Sequence, residues 1–275
     1  MSQTCTPCHE IVVRFPGGVQ FMVSTVGKKI ALLHRPPATP ASNIQHLLVD
    51  QLLPRLAAQL GHLVLHASGV EHNGHAYLFL GATGFGKSTL AASFLHDGYT
   101  LMTDDAICLE REGEELLARP LVKDLRLNPD SIAHLFAYPP WTSTVASYSA
   151  KMHVHCRGLR NGLAPASLGG LFVLDPRPDP SEARIAPMLA AEACMALVEN
   201  SFSLDIHDLE RASTKLEACA LIASKARAFR MTYSHDYQTL PRLRAAIRAA
   251  VAGHGNQRDD QRDRVNEEKK RGHES

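Results

Sequence analysis

The chain has 275 residues, 45% of them apolar and 21% charged, with a formal net charge of +1 and a pI near 7.8. Such a balance is ordinary globular material, enough for one large α/β domain or one domain with a small appendage, and it excludes a fibrous or wholly disordered chain. With no basic field and only 6% Phe, Trp and Tyr to stack on bases, nucleic acid is set aside as a partner.

The first fifteen residues lack a basic start followed by a long apolar core. No later stretch has the roughly 18 apolar residues of a membrane span, so the expectation is a cytoplasmic protein with no membrane partner. Cys5-Thr6-Pro7-Cys8-His9 carries the letters of a covalent haem site or a zinc half-site. Without an export signal or a second ligand pair at suitable spacing, it reads as a frayed terminus. The six cysteines, at 5, 8, 108, 156, 194 and 219, are too scattered for a disulfide framework, and no disulfides are expected.

Residues 10 to 34 alternate apolar and polar types around Pro16-Gly17-Gly18, which predicts short strands joined by turns. From Ser42, the spacing of Ile44, Leu47, Leu48, Leu52, Leu56 and Leu60 predicts a helix that Pro54 kinks or divides. Residues 63–67 and 76–80 read as two strands around an Asn73-Gly74 turn, a dipeptide that favours a tight hairpin.

Residues 81 to 89, GATGFGKST, then satisfy GxxxxGK[ST] in full. Gly81, Gly84 and Gly86, with Thr83 and Phe85 between them, allow consecutive backbone N–H groups to face one concavity at the start of a helix. Lys87 is placed to reach the β- and γ-phosphates. Ser88 offers a small hydroxyl as a Mg²⁺ ligand, and Thr89 follows it. The apolar run 76–80 before the loop and a helix stopped near Gly98 after it supply the strand-loop-helix context such a loop needs.

A strand over 100–103 leads to Asp104-Asp105 and a return strand 106–110, closed by a turn at Gly113. A phosphate loop needs a carboxylate at a neighbouring strand end to hold Mg²⁺, directly or through water. On extended backbone the two acids diverge, so one can face the metal and the other the group being phosphorylated. His66, late in its strand, is compatible with catalysis or with packing.

Beyond the acids, a short helix starts near Pro129. Residues 138–144 read as a loop, either a mobile segment near the site or a linker. A buried strand at 171–174, helices at 188–200 and 205–225, a strand at 229–233 and a basic amphipathic helix at 239–252 complete the domain. Lys151, His153, His155 and Cys156 invite a metal reading, but Lys151 near a substrate is the more useful one. From Gly253 onward the chain is charged with one aliphatic residue, so it cannot bury enough surface to offset chain entropy, and a disordered tail is expected.

The run LHASGVEHNGHAYLFLGATGFGKSTLAASFLHDGYTLMTDDAICLE, residues 65 to 110, resembles the catalytic core of HPr kinase/phosphorylase, bacterial P-loop enzymes that phosphorylate a serine on HPr. That pattern has a histidine segment before the loop, a glycine closing the loop helix and a strand ending in Asp-Asp, and His66, Gly81, Gly98, Asp104 and Asp105 fall at corresponding spacings. The resemblance implies an α/β fold with a P-loop kinase core shared with phosphoenolpyruvate carboxykinase: a mixed sheet with flanking helices and a small N-terminal β-rich segment. It divides the chain into residues 1–60 (β-rich segment plus helix), a catalytic domain over 61–252, and the tail 253–275. It further implies ATP and Mg²⁺ as cofactors, Asp104 as the base taking a proton from a substrate hydroxyl, and His66 and Asp105 orienting it. Lys87 would neutralise phosphate charge, with Ser88 and Asp105 at the metal. The family's second motif is altered here: Val122 to Pro129 lacks its glycines, leaving Lys123 and Arg126, with Lys151, as candidate phosphate or substrate contacts. A shorter N-terminal region than the family's is similar to compact kinases found beside peptide-tailoring enzymes, including those acting on lasso-peptide precursors.

The reading is therefore an ATP- and Mg²⁺-dependent kinase for a serine or threonine hydroxyl in a peptide or small protein. A non-catalytic nucleotide-binding regulator and a small-molecule kinase of carboxykinase-like fold are the alternatives. Oligomeric state is left open, a homo-oligomer included.

Overall fold

The computed structural model describes residues 2–5, 10–24, 29–122, 124–138, 140–155, 164–176 and 183–252. Cys8, His9, Lys123, Cys156 and the tail from Gly253 lie outside the described residues.

Alternation over 10–34 becomes the small antiparallel sheet β1 (Ser2–Cys5), β2 (Glu10–Arg14), β3 (Gln20–Ser24) and β4 (Lys29–His34), paired in chain order. Val13, Phe21 and Val23 share one face, which Leu47, Leu52 and Leu56 of the next helix cover. That helix runs as α1 (Ala41–His46), a π-helical stretch (Leu47–Leu52) and α2 (Leu53–Gln59). Pro54 neither kinks nor divides it sharply. It sits in the first turn of α2, where a missing N–H costs least, and the irregularity falls just ahead as the π stretch. Leu60, counted in the apolar stripe, lies beyond α2 and is exposed.

The main body follows as β5 (Leu63–His66), β6 (Ser68–His72), β7 (His75–Leu80), α3 (Lys87–Ser93), β8 (Thr100–Thr103), β9 (Ala106–Glu112) and β10 (Glu115–Pro120). Next come β11 (Arg126–Leu127), α4 (Pro129–Leu135), β12 (Trp141–Thr144), β13 (Met152–His155), β14 (Ala166–Pro176) and β15 (Arg184–Pro187). The last elements are α5 (Ala190–Glu199), α6 (Leu209–Lys225), β16 (Ala228–Tyr233) and α7 over residues 240–252. A nine-stranded mixed sheet has the order β5-β9-β10-β14-β7-β6-β8, with β16 on β14 and β15 on β16. Only the pairings of β14 with β7 and with β16 are parallel. Helices flank it, and no described helix is long and apolar enough to cross a membrane.

Side-chain alternation sorts the core onto the sheet's two faces. Leu78 and Leu80 point to α5 and α6 with Leu197 and Ile222, whereas Phe79 points to α3 and α7 with Leu90, Phe94 and Leu243. Each large side chain so buried contributes about 1.5–3 kcal/mol.

Three expectations are corrected. The Asn73-Gly74 turn, with φ of 51° and 81°, joins β7 to β6, not to the 63–67 run, because β5 instead pairs with β9. Nor is 100–110 a hairpin: β8 pairs with β6, and β9 with β5 and β10. Periodicity identifies a strand, but its neighbour depends on contacts far along the chain. The 138–144 loop contains β12, whose edge is satisfied by β13.

One result of this pairing positions the site. Residues 63–72 and 100–109 run antiparallel as two long segments whose regular ladder is interrupted at Ala67 and Asp104-Asp105, bridged by the Ala67 N–H donating to the Asp105 carbonyl at 3.3 Å. The acids therefore occupy a break in the sheet, not a solvated turn, and both are buried.

Candidate active site

The loop from β7 to α3 has glycines where the backbone turns left-handed, at Gly81 (φ 142°), Gly84 (φ 89°) and Gly86 (φ 80°). Gly81 is also pressed by its surroundings, since a Cβ there would lie 3.1 Å from the Leu174 carbonyl. Its N–H donates to Asn200 Oδ1 at 2.9 Å, and the Phe85 carbonyl accepts from the Tyr233 hydroxyl, so β14, β16 and the end of α5 hold both ends of the loop. Lys87 Nζ lies inside the curl, donating to the Gly81 carbonyl (2.6 Å) and the Ala82 carbonyl (3.2 Å). Burial lowers its pKa to about 8. The Asp104 and Asp105 charges oppose that shift, while the Lys151 charge adds to it.

Ser88 follows at the mouth, its hydroxyl receiving the Lys151 ammonium at 3.3 Å. Thr89 turns its hydroxyl to Ser131 at 3.0 Å, which in turn meets the Tyr237 hydroxyl at 3.1 Å. Thr83 and Gly84 line the same cleft as Lys87, Ser88, Asp104, Asp105, His66, Arg126 and Lys151, a space of about 500 Å³.

The two aspartates diverge at a bend of the chain, between the end of β8 and the start of β9. Asp104 accepts from Ser68 Oγ (2.7 Å) and from the Arg126 N–H (3.0 Å). Burial raises its pKa despite the Lys151 charge and these hydrogen bonds. Asp105 turns to His66 Nδ1 (3.1 Å) and to the Arg126 guanidinium (2.7 Å). Burial alone would raise its pKa as well, but His66 and Arg126 together outweigh it and hold the carboxyl below the usual range. The sequence reading gave the metal-side role beside Ser88 to Asp105. Of the two acids, Asp105 is engaged by histidine and arginine, and Asp104 by the Ser68 hydroxyl and the Arg126 N–H.

Arg126 is placed differently from a phosphate contact. Its side chain is 8% exposed, and its guanidinium reaches Asp50 (3.3 Å), Asp105 (2.7 Å) and Asp124 (3.5 Å). Burial works against the charge, yet those carboxylates raise its pKa overall. Asp50 is further bonded to His46 at 2.7 Å, and Asp124 to His153 at 2.8 Å. Arg126 thus links the helix of residues 41–59, the Asp-Asp break and β13. In the 151–156 segment His153 takes Asp124 at 2.8 Å, while His155 bonds Ser143 at 3.2 Å and packs on Trp141, and Cys156 lies outside the described residues.

Sequence reasoning missed Asn200, Ser68, Asp50 and Asp124. Asn200, Ser68 and Asp50 lie far along the chain from the groups they support, so no local pattern flags them, whereas Asp124 stands two residues before Arg126. For Asp50 alone, a charged residue inside an apolar helix was a usable signal.

A scan against protein-family models finds no match, and a search of curated proteins finds none either. Among solved structures, the chain is similar to one titled as the Hpr(Ser) kinase/phosphatase from Coxiella burnetii, at 12% identity, covering 71% of this chain and 98% of that one with a TM-score of 0.36.

Proposed function

We propose that this chain is an ATP- and Mg²⁺-dependent kinase with a P-loop core of the HPr kinase and phosphoenolpyruvate carboxykinase type, acting in the cytoplasm on a serine or threonine hydroxyl of a peptide or small protein. The observation that supports it is the convergence in one cleft of Lys87, Ser88, Asp104 and the His66–Asp105 pair at a loop whose glycines open its amides. The donor set fits the metal: a hydroxyl and a carboxylate lining one cleft suit Mg²⁺, which binds through one or two such groups and keeps its waters and phosphate oxygens. Ser88 and Asp104 would hold it. ATP supplies the phosphoryl group, and bound Mg²⁺ supplies positive charge to its terminal oxygens.

The chain's own contribution is positioning and charge. Backbone N–H groups of the loop and the Lys87 ammonium neutralise phosphate charge, with Lys151 beside Ser88 adding to the field. The proton of the acceptor hydroxyl passes to His66. Asp105 fixes that imidazole through Nδ1, leaving Nε2 as the atom available to accept, and stabilises the imidazolium that results. Asp104 was expected to be the base. Its contacts with Ser68 and the Arg126 N–H instead suit it to the metal side.

The test is incubation with γ-labelled ATP and a panel of serine-containing peptides. Label on a peptide, lost in Lys87→Ala, is the expected result. Nucleotide binding without transfer to any acceptor would overturn the catalytic reading, and label on a metabolite instead would move the acceptor to small molecules.

A further inference from the structure

A second cavity of about 380 Å³ adjoins the cleft, sharing His66 and Thr83 with it and reaching Arg55 of α2 and Asn200. Arg55 is half-buried there, its guanidinium 5.1 Å from the centre of the Phe202 ring. The same ring meets His66 edge-on, with centroids 5.9 Å apart. One phenyl group therefore seats both the cation and the imidazole assigned to proton transfer.

Arg55 lacks a counter-ion. Among the described residues it forms no ion pair within 4 Å, and it donates to the carbonyl (2.6 Å) and side chain (3.1 Å) of Gln51. Burial lowers its pKa, with only the Asp105 charge opposing. An arginine carries five N–H donors in a planar fork, and Gln51 occupies one of its nitrogens. A partly desolvated cation in this state costs free energy unless an anion completes it. The buried guanidinium of Arg126, by contrast, is met by three carboxylates.

We infer that this second cavity is the acceptor subsite, and that Arg55 receives a carboxylate carried by the acceptor close to its reactive hydroxyl. The inference rests on the kinase reading for the word acceptor, while the anion site stands on the cavity and the unpaired guanidinium. A carboxylate fits better than a phosphate dianion because exposed Glu199 lines the same cavity and penalises a second negative charge. The carboxylate has two sources, an acidic side chain beside the target serine in a peptide, or the α-carboxylate of a free hydroxy amino acid.

Calorimetric titration of the full chain with matched pairs separates them: blocked Ser-Glu and Glu-Ser dipeptides against their Gln counterparts, and L-serine against L-serinamide. At least one acid should bind about tenfold or more tightly than its amide, as a charge-assisted pair predicts. The preference should vanish in Arg55→Gln and in Arg55→Met, the latter retaining the apolar stem over Phe202 so that folding is preserved. In Arg55→Lys it should be reduced but present. The inference is overturned if acids and amides bind alike in both series, or if the preference survives in either neutral variant. Label transfer from γ-labelled ATP is scored separately. An Arg55-dependent acid preference without transfer keeps the anion site and sinks the kinase reading, whereas transfer with no acid preference does the reverse.

Discussion

Arg126→Met removes the cation at the centre of the site while keeping its length and apolar stem. The side chains it leaves behind are 5% exposed at Asp50, 7% at Asp105 and 16% at Asp124. Two of these carboxylates would be almost wholly out of water, with His46 and His66 as their remaining ion-pair partners among the described residues. Breaking a buried pair on one side costs about 3–5 kcal/mol, and at about 2–4 °C per kcal/mol for a chain of this size the melting temperature should fall by roughly 6–20 °C at pH 7.5. Sign follows from linkage. In the native protein Asp105 is held below its ordinary value, so its contribution is present above that value and lost as pH falls through the folded pKa. Without Arg126 the same carboxyls are raised, so the deficit should be largest near neutrality and shrink toward pH 5 as they take up protons. Thermal melts of both proteins from pH 5 to 8 measure this, and Asp50→Asn in the Arg126→Met background should recover part of the loss. A deficit under 1 kcal/mol at pH 7.5, or one that grows on acidification, would refute the account of Arg126 as the charge that holds the acids together.

Four further outcomes follow from the site. With the Lys87 pKa lowered to about 8, the free protein keeps that proton below about pH 7 and loses it as pH rises through 8. Calorimetric affinity for Mg·ATP should thus be flat from pH 6 to 7 and weaken above 8 by up to about tenfold per unit, a slope that Lys87→Arg removes. Asn200→Ala strips the Gly81 N–H of its acceptor, so Kd for nucleotide should rise about tenfold and the melting point should drop by a few degrees; unchanged binding would show that the loop needs no such brace. His66→Ala and Asp105→Asn should lower single-turnover transfer by about 10²-fold or more with nucleotide binding retained, whereas Asp104→Asn should also weaken the Mg²⁺ dependence; near-normal transfer by His66→Ala would return the base to Asp104. Burial pushes the Cys108 and Cys219 thiols up to about 12, so a thiol reagent at pH 7.5 should reach them only as the chain unfolds, and rapid labelling of either in the folded protein would contradict their packing.

How much of the site was legible in the sequence depended on how local its causes are. Gly81 to Ser88 could be read directly, because glycine spacing and the adjoining strand and helix fix a loop's conformation within a dozen residues. The divergence of Asp104 and Asp105 was expected from extended backbone but arises at a bend, and the partners each acid takes were not legible. That choice depends on the break where 63–72 and 100–109 pair, and on Arg126 lying 22 residues beyond Asp104 in sequence. Arg126 was legible as a cation, not as a buried hub, since Asp50 and Asp105 reach it from distant parts of the chain.

Sequence by itself determined the strand-loop-helix, the Asn73-Gly74 turn and the presence of paired acids, all set by residue type at short range. Tertiary structure alone decided that β5 leaves the hairpin for β9, that the helix of residues 41–59 delivers Asp50 and Arg55 to the cleft, and that Asn200 braces Gly81. The physical reason is that burial and charge compensation are properties of the assembled neighbourhood. A lone aspartate or arginine in the chain carries no record of which opposite charge, if any, will be folded against it.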